Sequence, residues 1–232
     1  MEKYKLTEET INVNGIILYR IEALKDFGDV KEGDKGGFIE NEDNLYQWDD
    51  CWVYDNAKVF ENANVFGNAK VCGDAKVYDN AKVYDNAEVF GNAKVYYSAE
   101  VCGNAKVYGD AKVYGDAQVS GNAKVYGNAC VFGDAWVIGD AKVYGDANVF
   151  GYAEVCGDAL IKDMSDYIVF KNWWSSGRYF TWTRSNDKWK VGCFYGTGKE
   201  LIEKAYKDSE LSGREYKRVV DYVESVLKEI KS

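Results

Sequence analysis

Residues 53–94 read VYDNAK VFENAN VFGNAK VCGDAK VYDNAK VYDNAE VFGNAK, and the same six-residue unit continues to VCGDAL at 155–160. Valine recurs at every sixth position and alanine follows four residues later, through 18 consecutive hexads. A short fixed period of this kind is the mark of a solenoid, in which each repeat buries its apolar face only against its neighbours. Within the unit, Ala-x-Val-x alternates, so Ala and Val share one face of a short strand and the two x positions share the other. Gly-Asp, Gly-Asn or Asp-Asn follows, and these residues tolerate the positive φ of a tight corner. Each hexad is therefore one strand and one corner. Three make a triangular coil of 18 residues, and the repeat predicts six coils stacked ~4.8 Å apart.

Composition agrees. The chain has no proline, which suits a backbone whose N–H groups are committed to ladders. It also has no histidine, the commonest general base near neutral pH and the commonest metal ligand. The six cysteines, Cys51, Cys72, Cys102, Cys130, Cys156 and Cys193, follow no metal-binding spacing, and reduced thiols in a cytosol are expected. The start, MEKYKLTEET, lacks the apolar stretch of a secretory signal, and no run reaches the ~18 apolar residues of a membrane helix. A cytoplasmic protein that does not engage a membrane is expected.

The repeat resembles that of the hexapeptide-repeat proteins, which form left-handed parallel β-helices. The entry segment DFGDVKEGDKGGFIENEDNLYQWDDCWVYDNAKVF is similar to bacterial and phage members of unassigned function. The segment TWTRSNDKWKVGCFYGTGKELIEKA is similar to a C-terminal module on phage and prophage members. The left hand is implied by this resemblance alone; general crossover handedness argues for the right. The best-known relatives, acyltransferases and a zinc carbonic anhydrase, depend on histidine, so their chemistry does not carry over. The expected fold is mainly β: a left-handed parallel β-helix of six 18-residue coils over residues 53–163, an N-terminal β cap over 1–52 and an α+β module over 164–232.

The flanks read separately. ETINV and IILYRI flank Asn14-Gly15, the strongest short hairpin signal, and should cap the first coil. In the tail, YIVFK, YFTWTR and WKVGCFY predict three strands, and helices are expected at about 198–208 and 214–230. The second helix carries Tyr216, Val219, Val220, Val223 and Val226 on one stripe. GTGK before the first is too short for a phosphate loop.

Function must come from the outward positions. Sorted by coil, one face should carry Tyr54, Cys72, Phe90, Tyr108, Tyr126 and Tyr144 beside Lys58, Lys76, Lys94 and Lys112. A second should be aromatic throughout, from Phe60 to Phe150. The third turns small at Cys102, Ser120, Ile138 and Cys156, where the C-terminal module or a second copy should lie flat. Corner columns such as Asn56, Asp74, Asn92, Asp110, Asn128, Asp146 alternate, which separates like charges. They lack the clustered carboxylates of a calcium site.

Partner-binding candidates are Trp173, Trp174, Arg178, Arg184 and Lys188 in the module, and Lys58, Lys76, Lys94, Lys112, Phe90 and Tyr108 on the solenoid. Glu40, Glu42, Asp43, Asp49 and Asp50 form an acidic patch that either keeps the entry segment soluble or mimics nucleic-acid phosphates. Residues 1–52 carry 13 acids against 6 bases, and residues 164–232 carry 10 against 13, so the two ends should prefer different partners.

No catalytic residue, metal or cofactor is expected. The leading expectation is a non-catalytic phage or prophage protein that binds, and by binding inhibits, a host protein or nucleoprotein. The alternatives are an assembly protein that dimerises or trimerises through a solenoid face, and a small-molecule or nucleotide binder.

Overall fold

The computed structural model describes residues 2–230, with no side-chain description at Ile230. Three parallel sheets run the length of a solenoid of about seven turns. Sheet I contains the strands at Lys58, Lys76, Lys94, Lys112, Cys130 and Asn148. Sheet II contains those at Trp52, Lys70, Glu88, Lys106, Lys124, Lys142 and Leu160. Sheet III contains those at Asn64, Lys82, Glu100, Gln118, Trp136 and Glu154. The register is uniform: Val pairs with Val and each leading residue with its counterpart one coil on. Every repeat Val and Ala is buried, forming one continuous core.

The periodic hexads supply six coils, and the seventh turn comes from the entry segment. β3 (Lys35–Ile39) pairs in parallel with the Lys58 strand, Leu45 bridges to Val65, and Trp52-Val53 pairs with Lys70-Val71. This turn uses Ile39, Leu45 and Val53 as its core residues and Cys51 in the alanine place. Val53 opens the first hexad, but Ile39 and Leu45 stand in no V-x-G-D-A-x unit and Leu45 lies eight residues before Val53, so the repeat does not reveal the rest of the turn.

The corners need φ near +70°, met by glycine in most coils and by Asp55, Glu61, Asp79, Asp85 and Tyr97 in others. Gly103 has φ +69°, and a Cβ there would sit 2.9 Å from the Gly121 nitrogen in the next coil. Gly151, at φ +65° on the last coil, meets nothing within 4 Å. We therefore expect Gly103→Ala to lose about 2–3 kcal/mol and Gly151→Ala about 1 kcal/mol, measured by urea unfolding. Equal losses at the two sites would refute the stacking argument.

A parallel ladder has polarity. Outward-facing residues donate their N–H to the following coil, as from Trp136 to Ala153 and from Lys112 to Ala129. Inward valines donate the other way: the parallel pairing of Lys58-Val59 with Lys76-Val77 places the Val77 N–H on the Lys58 carbonyl, so each end of the solenoid is left with both N–H groups and carbonyls unpaired. Both caps supply side-chain partners for them. At the N-terminal end, β1 (Tyr4–Val13) and β2 (Ile16–Ala23) form the expected hairpin around Asn14-Gly15, extend sheet I, and bring donors. The Lys3 ammonium donates to the carbonyls of Tyr46 (2.6 Å), Asp49 (2.7 Å) and Cys51 (2.9 Å). The buried Asn44 amide donates to Glu61 and Ala63, both at 2.9 Å, and Arg20 to Gly36 and Asp55. At the C-terminal end come donors and acceptors: the Tyr167 hydroxyl donates to the Asn148 carbonyl at 2.9 Å and the Tyr195 hydroxyl to that of Cys156 at 3.3 Å. Thr181 Oγ1 takes the Glu154 N–H at 2.9 Å, Ser185 Oγ takes that of Leu160 at 2.7 Å, and Asp166 Oδ2 takes that of Lys162 at 2.7 Å.

The C-terminal module is a four-stranded antiparallel sheet covered by two helices. Its strands span Tyr167–Asn172, Arg178–Thr183, Lys188–Val191 and Phe194–Gly196. The segment expected as one strand, WKVGCFY, folds back at Gly192, whose φ is +54°, and gives two. α1 (Gly198–Asp208) occupies the expected range. α2 (Glu210–Ile230) starts four residues before the expected 214, with the Ser209 hydroxyl accepting from the Ser212 N–H. Trp182 and Trp189 join Phe180, Leu201, Tyr216, Val220 and Val223 in the module core. No helix among the described residues is long and apolar enough to cross a membrane.

Candidate interaction surfaces

The strand register redistributes the outward residues. Lys58, Lys76, Lys94 and Lys112 open the Lys-Val pairs that Phe60, Tyr78, Tyr96 and Tyr114 directly follow. The lysine row and the uninterrupted aromatic row thus share sheet I, and do not lie on separate faces. Phe90 and Tyr108 lie on sheet II, away from those lysines. The reason is that the strand is Ala-Lys-Val-Tyr, with the corner before the alanine; taking each hexad from its valine cuts the strand in two.

The aromatic rows are stacked among themselves. Phe60, Tyr78, Tyr96, Tyr114, Phe132 and Phe150 form one column with ring centroids 4.9–5.2 Å apart and planes within 11°. Phe90, Tyr108, Tyr126 and Tyr144 form a second. Inside each column both ring faces are covered by neighbours, and only the edges meet solvent. Bases of a single strand stack on open ring faces, so these rows stabilise the ladder and offer no stacking platform except at column ends. The lysine row is set against partly covered surface: burial first, then neighbouring Lys76, pulls the Lys58 pKa below its ordinary value.

The corner columns are amide ladders. Asn68, Asn86, Asn104 and Asn122 each donate to the next corner along, ending on Asp140, at 3.0–3.2 Å. In the alternating column Asn92 donates to Asp110 and Asn128 to Asp146. Asp after Asn thus gives each amide a charged acceptor as well as spacing the carboxylates. Among the described residues, no three His, Cys, Asp or Glu side chains cluster as metal ligands.

The acidic patch divides. Glu40 and Asp49 accept corner N–H groups from Glu61 (2.6 Å) and Gly67 (2.8 Å). Glu42 and Asp43 lie in the first turn of a short 3-10 helix capped by Asn41. Asp50 is exposed. Part of this acidity therefore stabilises the entry turn.

The C-terminal module does not lie along the third sheet. It sits on the solenoid end, where Lys190 pairs with Glu154 at 3.2 Å and Asn186 extends the amide ladder to Asp158 at 3.0 Å. Tyr179 stacks on Tyr152 at 4.2 Å, which gives a reason for tyrosine at a corner place that holds Asp or Asn in nearly all other hexads. Of the row Cys102, Ser120, Ile138, Cys156, the first three are half-buried and only Cys156 is buried, where Tyr195 reaches its carbonyl, because the module bonds the unpaired backbone groups of the last coil.

Within the module, the hairpin tip holds Trp173 and Trp174, which are 71% and 57% exposed. Their rings meet edge to face at 5.4 Å. Trp174 donates its indole N–H to Glu215 at 2.8 Å, and Glu215 also accepts from Arg218 at 2.7 Å. The indole N–H and the guanidinium hold the Glu215 carboxyl below its ordinary pKa. Phe170, Trp174, Arg218, Val219 and Tyr222 line a surface groove of about 530 Å³ with Glu215 at its base. Arg184 lines a different groove with Trp182 and Leu227. Arg178 faces the junction with the solenoid. Lys188 is half-buried on the third strand of the module. Of the five predicted module residues, only the two tryptophans meet.

Phe170, Glu215, Arg218 and Tyr222 were not singled out from sequence. A signal exists: Glu215, Arg218, Val219 and Tyr222 follow helical spacing and form a second stripe beside the core stripe. The GTGK segment is a helix cap. Thr197 Oγ1 accepts from the Glu200 N–H, the Glu200 carboxylate returns to the Thr197 N–H at 2.8 Å, and a Cβ on Gly198 would meet Val220 at 2.7 Å. A carboxylate already occupies the place a phosphate would take. Compared with known protein families and with curated proteins, the chain matches none.

Proposed function

We propose that this is a non-catalytic interaction protein that binds a host macromolecule through the aromatic patch of its C-terminal module, held at the end of a rigid solenoid. The observation that carries the reading is the Trp173–Trp174 tip. Two adjacent indoles stand in solvent at 71% and 57% exposure, and a hydrogen bond from Trp174 to Glu215 fixes one of them over the groove. Protein interfaces draw most of their energy from Trp, Tyr and Arg anchors around a pocket. The patch has all three, in Trp174, Tyr222 and Arg218. The module's excess of bases favours an acidic partner surface.

The resemblance to phage and prophage proteins favours a phage-encoded binder that inhibits a defence-system or nucleic-acid-processing protein of its host. Missing histidine removes the usual acid–base chemistry and agrees with inhibition by occupancy.

The full chain, used to capture partners from host lysate, is expected to retain one protein in stoichiometric amount, and Trp173→Ala with Trp174→Ala is expected to weaken capture at least 30-fold, about 2 kcal/mol. Thermal melting of the double variant should stay within a few degrees of the parent, because neither indole is in the core. Unchanged capture by the double variant would move the site elsewhere. A concentration-dependent polymer that captures nothing would favour the assembly reading.

A further inference from the structure

Where the module meets the solenoid there is a second cleft, of about 340 Å³, lined by Asp134, Trp136, Tyr152, Glu154, Arg178 and Tyr179. Trp136 is the unusual member. It leads a strand of sheet III, in a row whose other members are Asn64, Lys82, Glu100, Gln118 and Glu154. Its side chain is 42% exposed. Nearly every other outward ring of the solenoid is stacked in a column, but Trp136 belongs to none of the ring pairs among the described residues. Packing gives no reason for an indole here, since Gln118 holds the same place one coil earlier.

The polar groups around it divide into used and unused. Glu154 is neutralised by Lys190 at 3.2 Å. The Asp134 carboxylate and the Arg178 guanidinium have no ion pair or side-chain hydrogen bond among the described residues. One negative and one positive group therefore line the cleft beside a part-exposed indole, and the cleft is close to neutral. The stacked Tyr152–Tyr179 pair forms a further wall and locks solenoid to module.

We propose that this cleft is a binding site for a neutral saccharide, a function independent of the protein partner of the Trp173–Trp174 patch. A pyranose ring has an apolar C–H face that lies flat on an indole, and its rim of hydroxyls both donates and accepts. Asp134 accepts from such hydroxyls and Arg178 donates to them. A few polar groups converging on an aromatic floor is the usual build of a small-molecule site. A free cation is disfavoured by Arg178, and an isolated anion by Asp134 and Glu154. A nucleotide would also stack, but its phosphates would meet only one unpaired cation.

The test uses the full chain with maltohexaose, cellohexaose and chitohexaose as probes and guanosine monophosphate as the stacking control, read by saturation-transfer NMR and fluorescence titration. At least one oligosaccharide is expected to bind, and Trp136→Gln is expected to weaken it tenfold or more. Asp134→Asn is expected to weaken it less. Trp136→Gln should fold normally, since glutamine already occupies the row at Gln118, and it should leave capture of the protein partner unchanged. Failure of all three oligosaccharides to bind, equal binding by Trp136→Gln, or binding of the nucleotide alone would each overturn the proposal.

Discussion

Replacing Lys3 with methionine is expected to cost about 2–4 kcal/mol of stability and to unfasten the first turn of the solenoid. Lys3 is 1% exposed, and its ammonium donates to three backbone carbonyls of the entry segment while lying 5.1 Å over the Phe27 ring. Those carbonyls point away from the coil that follows, so no strand takes up their hydrogen bonds. Methionine fills the same volume but donates nothing, leaving buried acceptors unmade at about 1–3 kcal/mol each, partly offset because a buried charge is no longer desolvated. Urea unfolding gives the total. Hydrogen exchange gives the location: amides of residues 38–59 should lose protection before those of the central coils. A global loss with no gradient along the solenoid would show that Lys3 is not an end cap.

Alkali is expected to unfold the protein between about pH 10 and 12. Burial pushes the phenol of Tyr96 up to about 12, with Tyr78 and Tyr114 adding to it. Tyr78, Tyr114 and Tyr126 are raised in the same way. Tyr4 is raised by burial and then by Glu42. Burial also lifts the Cys72 and Cys156 thiols to about 11.

Unfolded phenols ionise near pH 10 and unfolded thiols lower still. The unfolded chain therefore gives up protons first, and rising pH favours it. Stability from these groups is complete below the unfolded values and is lost as pH climbs through the folded ones. Lys3 runs the other way. Burial lowers its pKa, so stability rises with pH between its folded value and 10.5, but one lysine is outnumbered by the tyrosines. Thermal melts from pH 8 to 12, with phenolate absorbance followed in parallel, should show tyrosine ionisation and unfolding as one transition. Replacing Tyr96, Tyr114 and Tyr126 with phenylalanine should move that transition to higher pH. Smooth tyrosine titration in a folded chain would refute it.

Much of the scaffold was legible because its signal is repeated. Val and Ala at fixed spacing state which atoms face inward, and nothing remote is needed to read them. The Asn14-Gly15 hairpin and the helix at 198–208 were legible for the same local reason. Most of the entry turn was not, since Ile39 and Leu45 lie outside any Val-Ala hexad and Leu45 stands eight residues, not six, ahead of Val53. Its place depends on Lys3 and Asn44 meeting carbonyls 43 or more and 17 or more residues away. The candidate sites divide in the same way. Exposure of the Trp173–Trp174 tip could be expected from its setting in WWSSG. Its groove with Phe170, Glu215 and Tyr222 depended on how a helix crosses a sheet. Trp136 carries no signal of its own in the sequence, because Arg178 comes to line the same cleft only through the fold.

The sequence alone determined the period, the buried residues, the three-sided coil and the absence of histidine chemistry, since each is set by local alternation or composition. Only the tertiary structure decided that the lysine and aromatic rows share one sheet, that stacked rings leave no open faces along the columns, and that the module sits on the end. The physical reason is that the parallel ladder stops at both ends of the solenoid. Each end leaves backbone N–H groups and carbonyls unpaired, and the chain segments that satisfy them are distant in sequence.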